Sequence, residues 1–187
     1  PTSEGCTTGA ELETIVNNTQ AAGIFVEASA GNSGPNCSSV SDPPSIYDAA
    51  FATGAIDINN NLASFSSRGP SLFYNPSILK PNVSAPGVNV RSAWNTSDTA
   101  PSTISGTSMA GPHMVGAVAL LWSARPWLER DISTTKQIFE NTANPNVVDR
   151  KSVVEGKRED LGGGRIRKKK KKPAQTMQSE QLVPSTD

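Results

Sequence analysis

The feature that most constrains the fold is a long apolar segment at residues 106–124, with the sequence GTSMAGPHMVGAVALLWSA. From Ala110 onward nearly every residue is small or apolar, which predicts a helix that is buried on most of its faces. Pro112 is compatible with such a helix because the first-turn amides have no intrahelical partner. The Arg125-Pro126 pair predicts the end of the helix. A helix of this kind requires other layers of structure packed around it.

The segments around this helix predict an α/β fold. Residues 9–22 have the spacing of an amphipathic helix, and residues 24–26 directly after it form an apolar run that predicts a short buried strand. Residues 50–56 and 88–93 are further strand candidates, and residues 131–142 predict a shorter surface helix. Helices that alternate with apolar strands are typical of a layered α/β domain.

The distribution of charge and aromatic residues divides the chain near residue 148. Residues 1–148 contain 6 basic and 11 acidic residues and all ten aromatic residues, whereas residues 149–187 contain 11 basic and 6 acidic residues. Only the first part has the composition of a folded domain. The second part includes five consecutive lysines at 168–172 and predicts a disordered basic tail.

The tail has three interpretations. A lysine run can be a nuclear-targeting or nucleic-acid-binding patch, or a solvated charged segment without a specific role. Residues 149–172 also resemble the conceptual translation of a sequencing adapter followed by a poly-A tract. We favour this artefactual origin and predict no function for residues 149–187.

Ser108 has a local setting that suits a nucleophile. It lies at the predicted start of the apolar helix, where its N–H has no intrahelical partner and the helix dipole favours negative charge. A serine placed there can direct its hydroxyl at a carbonyl carbon and offer its own N–H to the oxyanion that forms. Serine is also a common helix cap, and composition alone favours that simpler role.

Asn32 follows the predicted strand at residues 24–26, in a loop rich in Gly, Ser and Pro. An asparagine in this position can stabilise a turn through its side chain. It can equally donate a side-chain N–H to an oxyanion. The local sequence leaves both roles open.

Four separated motifs resemble those of the subtilisin-like serine proteases, the subtilase family. SGTSMAGPH at residues 105–113 is similar to the family's serine motif, and ASAGNSG at residues 28–34 is similar to its oxyanion-hole segment. Residues 63–70 and 79–90 resemble structural segments of the family, in the expected order. The resemblance covers about residues 1–143, and its details are similar to bacillopeptidase-like members.

The resemblance implies a fold and an activity. The fold would be the later part of a three-layer α/β domain with a mostly parallel sheet, without its N-terminal half. Ser108 would be the nucleophile of an endopeptidase that forms an acyl-enzyme. Asn32 would donate its side-chain amide to the oxyanion, beside the Ser108 N–H.

The resemblance also assigns residues around this site. Ser29, Ala30 and Gly31 would line the primary specificity pocket. The loop at residues 41–45 would contain a cis proline at Pro43.

The base and the orienting carboxylate of a catalytic triad have no counterpart in the sequence. In the family they lie on Asp-x-Gly and His-Gly-Thr-His motifs, and neither motif is present. His113 is the single histidine, and its position five residues after Ser108 places it about 140° around the predicted helix. We therefore expect His113 to have no catalytic role, and this chain alone to be inactive and to expose apolar surface.

Two other functions remain as alternatives. One is a non-catalytic pseudoprotease, or an inert fragment, that acts by binding if it acts at all. The other is an α/β-hydrolase esterase, which is disfavoured because that class has Gly-x-Ser-x-Gly around its nucleophile, whereas Ala110 stands at the last position here.

The resemblance finally implies partners and surroundings. The substrate would be a protein or peptide, with no nucleic-acid or membrane partner, and the full-length protein would be a secreted monomer. No cofactor is expected, and no metal site is evident, although calcium is possible in a full-length family member. Cys6 and Cys37 would suit a disulfide in an oxidising compartment, but two separate thiols are an equal alternative.

Overall fold

A computed structural model describes residues 8–147 of the chain. The predicted tail at residues 149–187 and Cys6 lie outside these residues, so the two alternatives for Cys6 and Cys37 both stay open. Cys37 is exposed and has no disulfide partner within the described residues. The elements in chain order are α1 (Glu13–Ala21), β1 (Glu27–Ser29), β2 (Phe51–Ile56), β3 (Val83–Pro86), β4 (Val90–Ala93), β5 (Pro101–Ile104), α2 (Thr107–Ala124), a 3-10 turn (Pro126–Leu128) and α3 (Ile132–Thr142).

Three strands form a parallel sheet in the order β1-β2-β3. Ala28 pairs with Ala52, and Thr53 pairs with Val83 on the other side. All six residues of β2 are buried, as is typical of a central strand covered on both faces. Strands β4 and β5 form a separate antiparallel pair that leads into α2.

Helices cover both faces of the parallel sheet. On one face, Met114 and Val118 of α2 form a buried cluster with Phe51 of β2. On the other face, Val16 of α1 packs in a cluster that includes Ala28 of β1. Because side chains alternate between the faces of a strand, this helix–sheet–helix arrangement confirms the predicted three-layer α/β fold.

Helix α2 is buried on its inner face only. Ala110, Gly111 and Met114 are buried against the sheet, whereas Val115 is 48% exposed and Leu120 is 73% exposed. The prediction of a helix buried on most faces is therefore wrong for residues 8–147. The expected exposure of apolar surface on this helix is present. None of the helices in this part of the chain is long and apolar enough to cross a bilayer.

Local predictions differ from the structure in three places. The strand predicted at residues 24–26 lies three residues later, at Glu27–Ser29, and Ile24 is 56% exposed. Strands β3 and β5 were not predicted, since each is short and has a proline at one end. In the loop at residues 41–45 the cis peptide precedes Pro44 rather than Pro43.

Candidate active site

A tight turn after β1 presents Asn32 at the surface. Ala30 continues the strand ladder for one residue, its N–H donating to Thr53 O at 2.9 Å. Gly31 then adopts φ +97°, which favours glycine, and its carbonyl accepts from Ser67 N–H at 2.9 Å. A Cβ on Gly31 would stand 3.0 Å from Ser67 Oγ. The turn is therefore held on both sides, and the exposed Asn32 follows it directly.

The N-terminus of α2 is fixed beside this turn by two close backbone approaches. Gly106 N–H donates to Gly87 O at 2.8 Å. A Cβ on Gly87 would stand 2.6 Å from Ala55 Cβ and 2.8 Å from Gly106 O, so only glycine fits between β2 and the start of α2. The same packing brings Thr107 and Ser108 to the edge of the sheet where β1 ends.

Asn32 caps α2 across 75 residues of sequence. Its Oδ1 accepts hydrogen bonds from Thr107 N–H at 3.0 Å and from Thr107 Oγ1 at 3.1 Å. An amide N–H can only donate, so the atom facing Thr107 is the asparagine oxygen. The Asn32 Nδ2 group is consequently turned away from Thr107 and has no partner within residues 8–147.

Two donor nitrogen atoms lie near one point next to Gly106. The position that a Cβ would occupy on Gly106 is 3.8 Å from Asn32 Nδ2, 3.8 Å from Ser108 N and 3.4 Å from Met109 Sδ. No hydrogen bond occupies the Ser108 N–H within the described residues, and Ser108 is an exposed residue. Two donors without a partner near a hydroxyl are the groups needed to stabilise an oxyanion formed at that hydroxyl.

The residues expected in the specificity pocket lie next to this region. Ser29 ends β1 and is half-buried, Ala30 is buried, and Gly31 forms the turn before Asn32. They lie within three residues of Asn32. Two clefts lie elsewhere in the described part of the chain, one beside Ile46 and one between α1 and α3, and Ser108 lines neither of them.

His113 makes its hydrogen bond within its own helix. Its Nδ1 donates to Met109 O at 2.8 Å, since a carbonyl can only accept. No hydrogen bond joins His113 to Ser108 in the described part of the chain. Residues 8–147 also contain no cluster of three or more His, Cys, Asp or Glu side chains suited to a metal ion.

Thr107 is the residue of this site that the sequence analysis did not identify. It is fully buried, and both its N–H and its hydroxyl hold the Asn32 oxygen. The sequence offered one signal, a second hydroxyl residue beside Ser108 at the start of the helix. Nothing in the local pattern pointed to Asn32 as its partner.

Several known proteins are similar to this chain in sequence. Bacillopeptidase F of Bacillus subtilis (strain 168) is 44% identical over 137 residues, which cover 70% of this chain and 9% of that protein. Subtilisin BL of Lederbergia lenta is 44% identical over 117 residues, covering 63% of this chain and 38% of that protein.

Among solved structures, the S41 psychrophilic protease matches with a TM-score of 0.61 and 32% identity, covering 73% of this chain and 45% of that one. Sphericase matches with a TM-score of 0.57 and 29% identity, covering 68% and 42%. The chain thus spans less than half of each of these relatives. The model of the subtilase family matches residues 2–174. The chain therefore belongs to the subtilase family.

Proposed function

We propose that this chain carries the nucleophile and the oxyanion donors of a serine endopeptidase that cleaves proteins or peptides. Ser108 Oγ attacks the carbonyl carbon of the scissile bond and forms an acyl-enzyme, which water then hydrolyses. The Ser108 N–H and Asn32 Nδ2 bind the oxyanion of the tetrahedral intermediate. Ser29, Ala30 and Gly31 line the pocket for the substrate side chain next to the scissile bond.

One observation carries this proposal: the Asn32 amide is held by its oxygen, and its Nδ2 atom and the Ser108 backbone nitrogen both lie 3.8 Å from the point that a Cβ on Gly106 would occupy. A helix-capping serine and a turn asparagine need no such convergence. Donors fixed before the reaction stabilise the transition state most effectively, because they need not reorganise as charge develops.

The base that deprotonates Ser108 would come from the part of the relatives' catalytic domain that this chain does not span. Two observations support this. The single histidine, His113, is bonded along its own helix. The outer face of α2 exposes Val115 and Leu120, an apolar surface of the kind that another part of a domain covers. On this view the chain alone is inactive, and the complete protein is a secreted monomer without a nucleic-acid or membrane partner.

A non-catalytic role is the second candidate. The same turn and helix N-terminus would bind a peptide carbonyl without cleaving it if the complete protein supplied no base. The observation that favours it is the absence of a histidine or carboxylate hydrogen-bonded to Ser108 within residues 8–147.

A chimera tests the proposal. This chain replaces the matching segment of Bacillopeptidase F, so that the remaining part of that protein completes the domain. We expect the chimera to hydrolyse casein and to be labelled by a fluorophosphonate probe, with mass spectrometry locating the adduct on Ser108. Ser108→Ala should abolish both signals.

Ser123→Ala is the matched control, because Ser123 is an exposed serine near the other end of the same helix. It should leave hydrolysis and labelling unchanged. Activity that survives in Ser108→Ala would refute the assignment of the nucleophile. A chimera that melts cooperatively but is neither active nor labelled would favour the non-catalytic role.

A further inference from the structure

Glu27 is an acidic residue in a place where the fold does not need one. It is the first residue of β1, and its carboxyl group lies against α2. Its Oε1 atom is fully buried and has no hydrogen-bond partner in the described part of the chain. A buried polar atom without a partner costs stability, so its presence calls for an explanation.

Gly111 of α2 provides the space that this carboxyl group fills. A Cβ on Gly111 would stand 2.6 Å from Glu27 Oε2, 2.7 Å from Oε1 and 2.8 Å from Cδ. Real Cβ atoms essentially never stand this close to another heavy atom, and the neighbour here is the end of a flexible side chain. Any larger residue at position 111 would therefore displace either the carboxyl group or the helix.

The two residues join the two halves of the candidate site. Glu27 lies five residues before Asn32, on the strand that leads into the asparagine turn. Gly111 lies three residues after Ser108, within the first turns of the helix that carries it. The contact between them therefore lies between the strand that leads to Asn32 and the helix that carries Ser108.

We propose that Glu27 and Gly111 form a complementary pair that positions the Ser108 helix against β1, and so sets the spacing of the Asn32 and Ser108 donors. Glu27 is thus a positioning residue for the reaction and touches no reacting atom. The inference rests on the proposed endopeptidase function. Misplacement of reacting groups by about 1 Å costs on the order of 10²-fold in rate, so a small shift of α2 is visible in kcat.

The size of the Glu27 side chain, rather than its charge, is the quantity that matters. Burial raises the pKa of Glu27, with a smaller opposing influence of the Thr53 hydroxyl. Glutamine has nearly the same volume and shape as glutamate and carries no charge. Glu27→Gln should accordingly preserve the position of the helix.

The test is a set of variants of the full chain within the chimera described above. Gly111→Ala should lower kcat about 10-fold with little change in KM, because the helix shifts while substrate contacts remain. Glu27→Ala combined with Gly111→Ala should recover most of that loss, because the methyl group then enters space that the carboxyl group has left. Glu27→Gln should retain the full kcat.

Gly116→Ala is the matched control. Gly116 lies on the same helix, and a Cβ there would have no neighbour within 4 Å. Both substitutions improve helix propensity equally, so a difference between them reports the Glu27 contact. The proposal is overturned if Gly111→Ala leaves kcat unchanged, or if Glu27→Ala fails to relieve its effect.

Melting temperature gives a second measurement that does not depend on catalysis. Gly111→Ala should melt below Gly116→Ala, and Glu27→Ala should remove that difference. A folded but inactive chimera with these melting temperatures would refute the proposed function and support the contact between Glu27 and Gly111. An active chimera without these melting temperatures would refute the pair and keep the proposed function.

Discussion

Two polar clusters lie at opposite ends of the parallel strands, one after the end of β1 and one at the starts of β2 and β3. They differ in how many of their hydrogen-bonding groups have a partner. In the Asn32 cluster (Asn32, Thr107 and Ser108), one oxygen is held twice, while the Asn32 Nδ2 group and the Ser108 N–H find no partner within residues 8–147. Asn32 and Ser108 are exposed residues, whereas Thr107 is buried.

In the Lys80 cluster (Lys80, Asn82 and Glu140), each side chain forms a hydrogen bond to another group of the protein. Lys80 Nζ donates to Ala50 O at 2.6 Å and to Asn82 Oδ1 at 3.1 Å. Asn82 also accepts from Ala52 N–H at 2.8 Å and donates through Nδ2 to Glu140 Oε1 at 2.7 Å. The lysine is 4% exposed, so this network ties β2, β3 and α3 together within the protein.

The contrast separates polar groups that bond to one another within the fold from polar groups that the described residues leave without a partner. Buried polar groups in folded proteins are almost always paired, because an unpaired group loses its bonds to water. The Lys80 cluster follows this rule, and both polar atoms of the Asn82 side chain are hydrogen-bonded within it. The Asn32 cluster keeps two fixed donors open to solvent, as a site for a developing negative charge requires.

The largest effect that the contrast predicts is that of Asn32→Ala on turnover. Loss of one such donor in a subtilisin slows kcat about 10²–10³-fold, and we carry that magnitude over from the family. KM should change little, because the donor acts mainly on the transition state. Steady-state kinetics on the chimera measure both constants.

Asn32→Asp is the sharper variant, because it keeps an oxygen for Thr107 but has no N–H to donate. It should lose as much kcat as Asn32→Ala if the donor is what matters. Asn95→Ala, in an exposed loop, is the control and should have no effect. Full turnover in Asn32→Asp would mean that Asn32 serves only as a helix cap.

The Lys80 cluster predicts a pH dependence of stability rather than an effect on turnover. Burial, followed by repulsion from Lys136, lowers the pKa of Lys80 to about 8 in the folded protein. The ordinary value for lysine in an unfolded chain is about 10.4. Between these values the unfolded state binds more protons, so the free energy of unfolding should rise with pH, by at most about 3 kcal/mol.

Urea unfolding at several pH values between 8 and 10.5 measures this rise. Lys80→Met should remove the larger part of it, and the remainder belongs to Lys136, whose pKa burial also lowers. Lys136→Met is the comparison variant: it removes the repulsion, brings the pKa of Lys80 closer to its ordinary value and narrows the pH window. If the free energy of unfolding of the unsubstituted protein does not change between these pH values, the pKa of Lys80 is not lowered by folding.

The elements that the sequence predicted are those with a strong local signal. The apolar segment became α2, residues 50–56 became β2 almost without change, and residues 131–142 became α3. Strand β1 begins three residues later than predicted. Its residues Glu27 to Ser29 pair with β2, although the run before them is more apolar. Pairing with β2 decides such a position, and local hydrophobicity does not.

The candidate site was predicted only as far as motifs could take it. Ser108 and Asn32 were named from separate motifs, and the structure brings their donors to one region. The bond between Thr107 and Asn32 spans 75 residues, and the contact between Glu27 and Gly111 is similarly distant. Partners so far apart leave no periodicity or spacing in the sequence, so only the folded chain identifies them.

The smallest predicted effect belongs to Thr107, which connects the site to the fold. Thr107→Val removes the hydroxyl but keeps the N–H, so Asn32 Oδ1 retains its 3.0 Å bond and loses the one at 3.1 Å. A hydrogen bond of this kind contributes about 1 kcal/mol, which corresponds to a loss of about 5-fold in kcat with KM unchanged.

Thr107→Ser is the matched control for this substitution, because it restores the hydroxyl and should recover turnover. In an Asn32→Ala background Thr107→Val should cost nothing further, because the hydroxyl acts only by holding the asparagine. If the losses in kcat caused by the two substitutions instead multiply, Thr107 acts on turnover independently of Asn32. A double-mutant cycle on kcat separates the two outcomes, since only residues that act through one another give an interaction energy. If Thr107 acts only through Asn32, the contrast holds within a single side chain. The fold fixes Asn32 Oδ1 through Thr107, and Asn32 Nδ2 of the same amide stays available for the reaction.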